Sequence, residues 1–233
     1  MKLSKRLETV ASFVTEGSNI ADIGTDHGYI PIYLVEEGRC PHAIAMDVRK
    51  GPLERAKAHI AEAGLEERIE VRLSDGLKAL KAEEADCIVI AGMGGELVMR
   101  IMEDGRHMWG TVRQWVLSPQ SDLDKVRRFL EEEEFSIVQE TMIKEDGKYY
   151  TVMSVSREAK PSQSGYTEAE YRYGKLLIDE KNQVLCEFLQ KEQCQLKSIL
   201  EELKKQSSEG VQNRMMEITR ELAWNKEAQD EMR

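Results

Sequence analysis

The sequence predicts an α/β fold: a doubly wound, mainly parallel sheet with an antiparallel closing strand, followed by a C-terminal α-helical coiled-coil hairpin. Three observations predict it. Short apolar runs alternate with helical segments through the first 132 residues, the pattern of a parallel sheet covered by helices on both faces. Glu145-Asp146-Gly147 then separates two long strand-like segments, a hairpin signal. Beyond residue 166 the composition shifts to Glu, Lys, Gln and Leu in heptad spacing.

The elements follow in order. Leu3, Leu7, Val10, Ala11 and Val14 recur at helical spacing and predict a first helix ending near Gly17. Asn19 to Gly24 is a buried strand entering a glycine turn, and residues 28–37 are helical, with Pro31 tolerated in the first turn. His42 to Asp47 is the second strand, followed by a helix from Pro52 to Ala63. Ile69–Leu73 and Asp86–Ala91 are the third and fourth strands, the latter apolar enough to be buried on both faces. Helix 94–102, strand 114–117, helix 122–132 and the strands 135–143 and 149–155 complete this domain, 1–160. The polar stretch 156–167, with Pro161, Ser162, Ser164 and Gly165, marks the boundary.

In the second domain, 166–233, Ile178, Leu185 and Ile199 form one seven-residue ladder, interrupted at Glu192. Leu189, Leu196 and Leu203 form another, with Asn182 as its polar step. After a loop at Ser207-Ser208-Glu209-Gly210 the spacing resumes at Val211, Met215, Ile218 and Leu222. The second helix is expected to be the shorter, covering only the distal half of the first. A monomer is expected, with a homodimer through this tail as the alternative.

Composition narrows the function. A net charge of -10 argues against a protein that coats nucleic acid non-specifically, although it leaves room for a local basic face. No stretch approaches the apolar length of a membrane span. With no leader-like segment at the N-terminus, a cytoplasmic protein is expected. The cysteines, 40, 87, 186 and 194, form no C-x-x-C pair, and the histidines, 27, 42, 59 and 107, show no ligand spacing, so no metal is expected. Cys87, inside an apolar run, reads as a small buried hydrophobe.

Right-handed crossovers place the turns after the parallel strands on one edge of the sheet, where ligands bind. Four such turns carry chemistry. In Asp22-Ile23-Gly24-Thr25-Asp26-His27-Gly28, Gly24 permits a tight turn and the helix after Gly28 aims free N–H groups at the same place. Asp47, ending the second strand before Val48, suits a ribose diol, because an ionised carboxylate only accepts hydrogen bonds; capping the next helix is its alternative role. Asp75 and Gly76, after the third strand, could meet an adenine edge or cap a helix. Ala91-Gly92-Met93-Gly94-Gly95 presents bare backbone for a close approach, and Ser118-Pro119-Gln120 adds a polar lip.

The motif D-I-G-T-D-H-G-Y-I-P at 22–31, A-G-M-G-G at 91–95 and L-S-K-R-L at 3–7 together resemble the bacterial tRNA (adenine(22)-N1)-methyltransferase family. Asp26, standing where a usual methyltransferase motif has its middle glycine, agrees with that family. Ser118-Pro119-Gln120 departs from the Q-P-like pair expected there, so no role carries over to Ser118 or Gln120. The resemblance implies a class I, Rossmann-like methyltransferase domain with S-adenosylmethionine as donor and a tRNA adenine as acceptor. It places Asp22, Gly24, Thr25, Asp26, His27, Gly28, Asp47, Val48, Asp75, Gly76, Ala91 and Gly92 around the cofactor. Asp26, with Gly92, Met93 and Gly94, would favour the ring cation formed on methylation at N1. Asp26 could equally fix the loop. Lys5, Arg6, Arg49 and Lys50 are candidate phosphate contacts and Tyr29 a candidate stacking platform. The competing functions are methylation of a small metabolite and a non-enzymatic interaction protein. The helical tail counts against the first, the intact glycine turns against the second.

Overall fold

The computed structural model describes residues 2–159, 165–205 and 209–233. The chain divides into two compact units, Met1–Ser162 and Gln163–Arg233. Residues 160–164 of the polar stretch expected at the boundary (Pro161, Ser162 and Ser164 among them) lie outside the described residues, as do Ser207 and Ser208 of the expected tail loop.

In the first unit, α1 (Lys5–Phe13) begins at Ser4, whose side chain accepts a hydrogen bond from the Leu7 amide. There follow β1 (Ile20–Ile23), α2 (Tyr29–Glu36), β2 (Ala43–Asp47), α3 (Lys50–Glu62), β3 (Ile69–Leu73), β4 (Cys87–Ala91) and α4 (Gly95–Asp104). A short 3-10 turn, Arg106–Met108, precedes β5 (Gln114–Ser118), α5 (Leu123–Glu132), β6 (Ser136–Glu145) and β7 (Lys148–Ser156). The seven strands order as β3-β2-β1-β4-β5-β7-β6. β1 to β5 are mutually parallel, and β7 is antiparallel to both neighbours. The last strand therefore inserts between β5 and β6. The runs read as strands from apolarity alone, β1, β2 and most of β4, are buried on both faces. The two helical layers close over a core cluster on each side of the sheet.

Cys87 is fully buried, and burial pushes its thiol pKa up, as befits a small core hydrophobe. A buried ion pair joins α5 to β6: Arg127 Nη2 and Nε donate to Glu140 Oε1 at 2.7 and 3.1 Å, with both residues almost inaccessible. No helix among the described residues is long and apolar enough to cross a membrane.

The second unit departs from the expected hairpin in two ways. Its first part is not one helix but α6 (Glu168–Tyr173), α7 (Lys175–Asp179) and α8 (Gln183–Leu203). Gly174, at φ 98°, breaks the first pair, and Asn182 is the N-cap of α8, accepting from the amides of Val184 and Leu185, rather than a polar heptad step. Second, α9 (Glu209–Glu231) has 23 residues against 21 in α8, so the second helix is not the shorter. It absorbs Glu209 and Gly210 at its start and packs on α6 and α7 as well as α8. The seam is buried at Leu185, Leu189, Leu196 and Ile218, but Ile199 is exposed.

Glu192, the interruption in the ladder, is a polar hub: Tyr173 Oη donates to it at 2.6 Å, Asn225 Nδ2 at 3.0 Å and Arg172 at 3.3 Å. Asn225 is itself fully buried and also donates to the Leu189 carbonyl. A buried polar pairing of this kind fixes the register of two helices at some cost in stability.

Candidate functional site

A cleft of about 570 Å³ opens at the carboxyl edge of the parallel strands. The turn after β1 builds its floor. The amides of Gly24 and Thr25 both donate to the Met46 carbonyl, at 2.8 and 2.9 Å, which ties this turn to the end of β2. Gly24 has φ 79°, an angle that favours glycine, and a Cβ there would also displace the Met93 methyl, 2.0 Å away. Gly28, at φ 70°, is the N-cap of α2.

Two buried carboxylates, Asp22 next to the end of β1 and Asp47 at the end of the adjacent β2, line the cleft. Burial pushes the Asp22 carboxyl up to about 6; the neighbouring Thr25 hydroxyl lowers it and the Asp47 charge raises it further. Asp47 Oδ1 accepts from the Arg49 amide at 2.7 Å. The cap of α3 is Arg49, two residues on, so Asp47 is not that helix's N-cap. Its Oδ2 accepts no hydrogen bond among the described residues and is available to a diol.

Asp26 sits higher on the wall and is mostly exposed. It pairs with the Arg55 guanidinium and lies 3.4 Å from His27 Nε2. The Arg55 hydrogen bond holds its carboxyl below the usual carboxylate range. Tyr29 is half-buried, not a core tyrosine. Its ring stacks on His27 at 4.9 Å and on His59 at 5.5 Å, with interplanar angles of 8° and 10°. His59 Nδ1 donates to the His27 carbonyl at 3.0 Å. Arg55 and His59, four apart on one face of α3, thus brace the loop from behind. Neither was picked out from the sequence; their spacing was the only available signal.

The opposite wall is the turn after β4. Ala91, Gly92 and Met93 line the cleft with Leu97. Gly92 has φ 83°, and a Cβ there would stand 3.3 Å from Arg6 Nη1. Arg6 reaches this wall from α1, over the Tyr150 ring, with 5.4 Å from guanidinium carbon to ring centroid. Gln120 completes the wall, its amide donating to the Met93 carbonyl at 2.8 Å.

Several expected residues stand elsewhere. Gly94 is no wall of the cleft: it faces Ser121, whose Oγ would lie 3.2 Å from an added Cβ. Asp75 and Gly76 are not among the lining residues. Asp75 pairs with Lys78 at the surface, and Gly76 faces Ile101. A turn follows them rather than a helix, so Asp75 caps none. Lys5 and Lys50 are exposed and outside the cleft, and Lys5 Nζ donates to the Lys144 carbonyl. Val48 and Arg49 do line it. Ser118 is buried, and its carbonyl accepts from the Gly92 amide.

The arrangement fits a nucleoside-bearing cation. Two buried anions meet a diol and positive charge, and a glycine turn admits close approach.

Comparison with known proteins agrees with this chemistry. The family described as tRNA (adenine(22)-N(1))-methyltransferase matches residues 20–227. A Bacillus subtilis protein of that name is 36% identical over 218 residues, covering 92% of this chain and 90% of its own. Among solved structures, Streptococcus pneumoniae Sp1610 in complex with S-adenosyl-L-methionine is 36% identical, with TM-score 0.85, over 97% of this chain and 99% of that one. M. capricolum TrmK bound to S-adenosyl-homocysteine is 26% identical, with TM-score 0.87, over the full length of both chains.

Proposed function

The chain belongs to the tRNA (adenine(22)-N(1))-methyltransferase family, and from that premise we infer that it transfers a methyl group from S-adenosylmethionine to N1 of the adenine at position 22 of tRNA. The observation that carries the reading to this cleft is the pair of buried carboxylates, Asp22 and Asp47, on adjacent parallel strands beside the bare turn at Gly24. Incubation with labelled S-adenosylmethionine and tRNA, followed by mapping of the modified nucleoside, tests it. Label found in a small metabolite and absent from RNA would sink it.

Bound in the cleft, the cofactor supplies an electrophilic methyl on a sulfonium. Asp47 holds the ribose diol, and Asp22 with the Gly24–Thr25 turn holds the charged amino-acid end. Adenine N1 keeps its lone pair at neutral pH, so no residue need remove a proton, and alignment supplies most of the rate. N1 lies on the pairing edge, so the base must leave any pairing before it reacts; the Tyr29–His27 stack offers an aromatic face beside the cleft. Methylation leaves the ring cationic, which favours nearby acceptors. Asp26, already paired with Arg55, presents little net charge, so we assign it to bracing the loop. In the opposite turn the Met93 carbonyl accepts from Gln120 and that of Gly94 from Leu97 and Val98, which leaves the Gly92 carbonyl, on the cleft wall, as our candidate acceptor for the developing charge.

Asp47→Ala is expected to weaken cofactor binding by about 1–3 kcal/mol, the range for a lost hydrogen bond to a charged group. Calorimetry on the folded variant checks it, and an unchanged Kd would remove Asp47 from the site.

Residues 166–233 are assigned to holding tRNA, with no part in the chemistry. All cleft-lining side chains precede residue 121, and a tRNA far exceeds the cleft. Lys191, Lys197, Lys204 and Lys205 on or beside α8 provide cations, with acids interleaved. A protein ending at Ser162 is expected to keep its cofactor Kd and to show a KM for tRNA at least about tenfold higher, since a second contact surface acts through effective concentration. If the seam instead joins two copies, light scattering will show a change in oligomeric mass on truncation.

A further inference from the structure

The family reading leaves open how the site recognises its base, and the wall opposite the cofactor carboxylates bears on this. Asp22 and Asp47 lie at the carboxyl ends of β1 and β2, Asp22 one residue before the last, whereas Gln120 follows β5. With the order β2-β1-β4-β5, three inter-strand spacings separate Asp47 from this end, about 14 Å. Gln120 therefore stands on the acceptor side. Its main chain is fixed: the preceding Pro119 is buried and its own amide donates to the Met93 carbonyl at 2.8 Å. Its side chain is exposed to the cleft and has no hydrogen-bond partner among the described residues. The carboxamide nitrogen lies 3.9 Å from the point where a Cβ on Gly92 would stand, and Arg6 Nη1 lies 3.3 Å from that same point.

The chemistry of the reaction decides which edge of adenine this wall can read. N1 must stay free for the methyl, so recognition falls on the edge bearing the exocyclic N6 amine and N7. That edge offers one donor and one acceptor side by side. A carboxamide is its complement, accepting from N6–H through its oxygen and donating to N7 through its nitrogen. Guanine presents two acceptors there, O6 and N7, and a pyrimidine has no N7. Arg6 cannot substitute, because a guanidinium has no acceptor. Met93, Leu97 and Leu7 add only apolar contact.

We propose that Gln120 is the residue that identifies the target base, its carboxamide pairing with the N6 amine and N7 of the adenine. The proposal rests on the tRNA adenine-N1 reading.

The test combines Gln120 variants with tRNA carrying 7-deazaadenosine, which lacks the N7 acceptor, at the target position. For the unaltered protein, 7-deazaadenosine is expected to lower kcat/KM about tenfold, the order of one hydrogen bond. Gln120→Ala is expected to lower kcat/KM on ordinary tRNA about 10- to 100-fold. It should then show no more than about a twofold further loss on the deaza substrate, since the contact is already gone. Gln120→Glu, which repels N7 but still accepts from N6–H, is expected to act faster on the deaza substrate than on adenine. The cofactor Kd, by calorimetry, should be unchanged in both variants, which also shows that they are folded. Penalties that simply multiply in Gln120→Ala, a variant as active as the unaltered protein, or a shifted cofactor Kd would each overturn the proposal. Absence of methyl transfer by the unaltered protein to ordinary tRNA would instead overturn the parent reading.

Discussion

Asp22→Asn is expected to stabilise the ligand-free protein by up to about 3 kcal/mol at pH 8 while weakening its hold on the cofactor. The carboxyl is almost inaccessible, and burial, with Asp47 close by, raises its pKa from 3.8 to about 6. A shift of that size corresponds to about 3 kcal/mol between the two protonation states. The folded pKa lies above the unfolded one, so the folded protein binds the extra proton as pH falls. The cost of the charge is therefore fully present above about pH 6 and is relieved progressively down to about pH 4. An uncharged Asn avoids it, although its amide must find a partner of its own, which makes 3 kcal/mol an upper bound. Chemical denaturation at pH 8 and pH 4.5 should show an advantage for the variant that shrinks at the lower pH. Calorimetry at pH 8 should show cofactor affinity reduced by roughly tenfold or more, the order of a charged hydrogen bond. A variant less stable than the unaltered protein at pH 8 would mean that the ionised carboxylate is not strained in the empty fold, and the electrostatic account of the floor would fail.

Arg127→Ala should be the most damaging single change remote from the cleft, costing about 3–5 kcal/mol. Arg127 and Glu140 are both nearly inaccessible and joined by two hydrogen bonds between α5 and β6. Removing the guanidinium leaves a carboxylate buried without its main counter-charge, and that residue of unpaired charge dominates the cost. At roughly 2–4 °C per kcal/mol for a chain of this size, the melting temperature should fall by about 10 °C. The double change Arg127→Met with Glu140→Leu should recover most of the loss, because a well-packed apolar pair replaces a buried ion pair at little cost. Cofactor affinity measured well below the transition should be unaltered in both. A double variant no better than Arg127→Ala would show that the pair contributes geometry as well as charge balance.

Much of the site was legible because its signals are local. Gly24 and Gly92 were legible because a turn at positive φ after a strand favours that residue, and both adopt such angles. Asp47 was legible because it closes an apolar strand, which places it on the ligand edge whatever surrounds it. Strands β1, β2 and β4 followed from unbroken apolar runs, which report burial on both faces. Gly94 shows the limit of the same reasoning. One residue along a turn reverses the direction in which backbone faces, and Gly94 meets Ser121 rather than the cleft. Likewise the heptad count could not tell a seam residue from a cap, because Asn182 and Asn225 are the same amino acid in opposite roles.

By itself, then, the sequence determined the order of strands and helices along the first domain, most of the turns that line the ligand edge, and, through its motifs, the family. Those properties depend on backbone conformation and burial within a few residues, which periodicity and glycine placement record directly. The tertiary structure alone decided which charges meet: Arg55 on Asp26, Arg6 at Gly92, Arg127 on Glu140, Asn225 on Glu192. It also decided that β7 inserts between β5 and β6, and that α9 runs long enough to reach α6 and α7. Each of these joins residues more than ten positions apart through space. A charged side chain carries no mark of its partner in its own neighbourhood, and the partner is chosen by how the sheet twists and the helices dock.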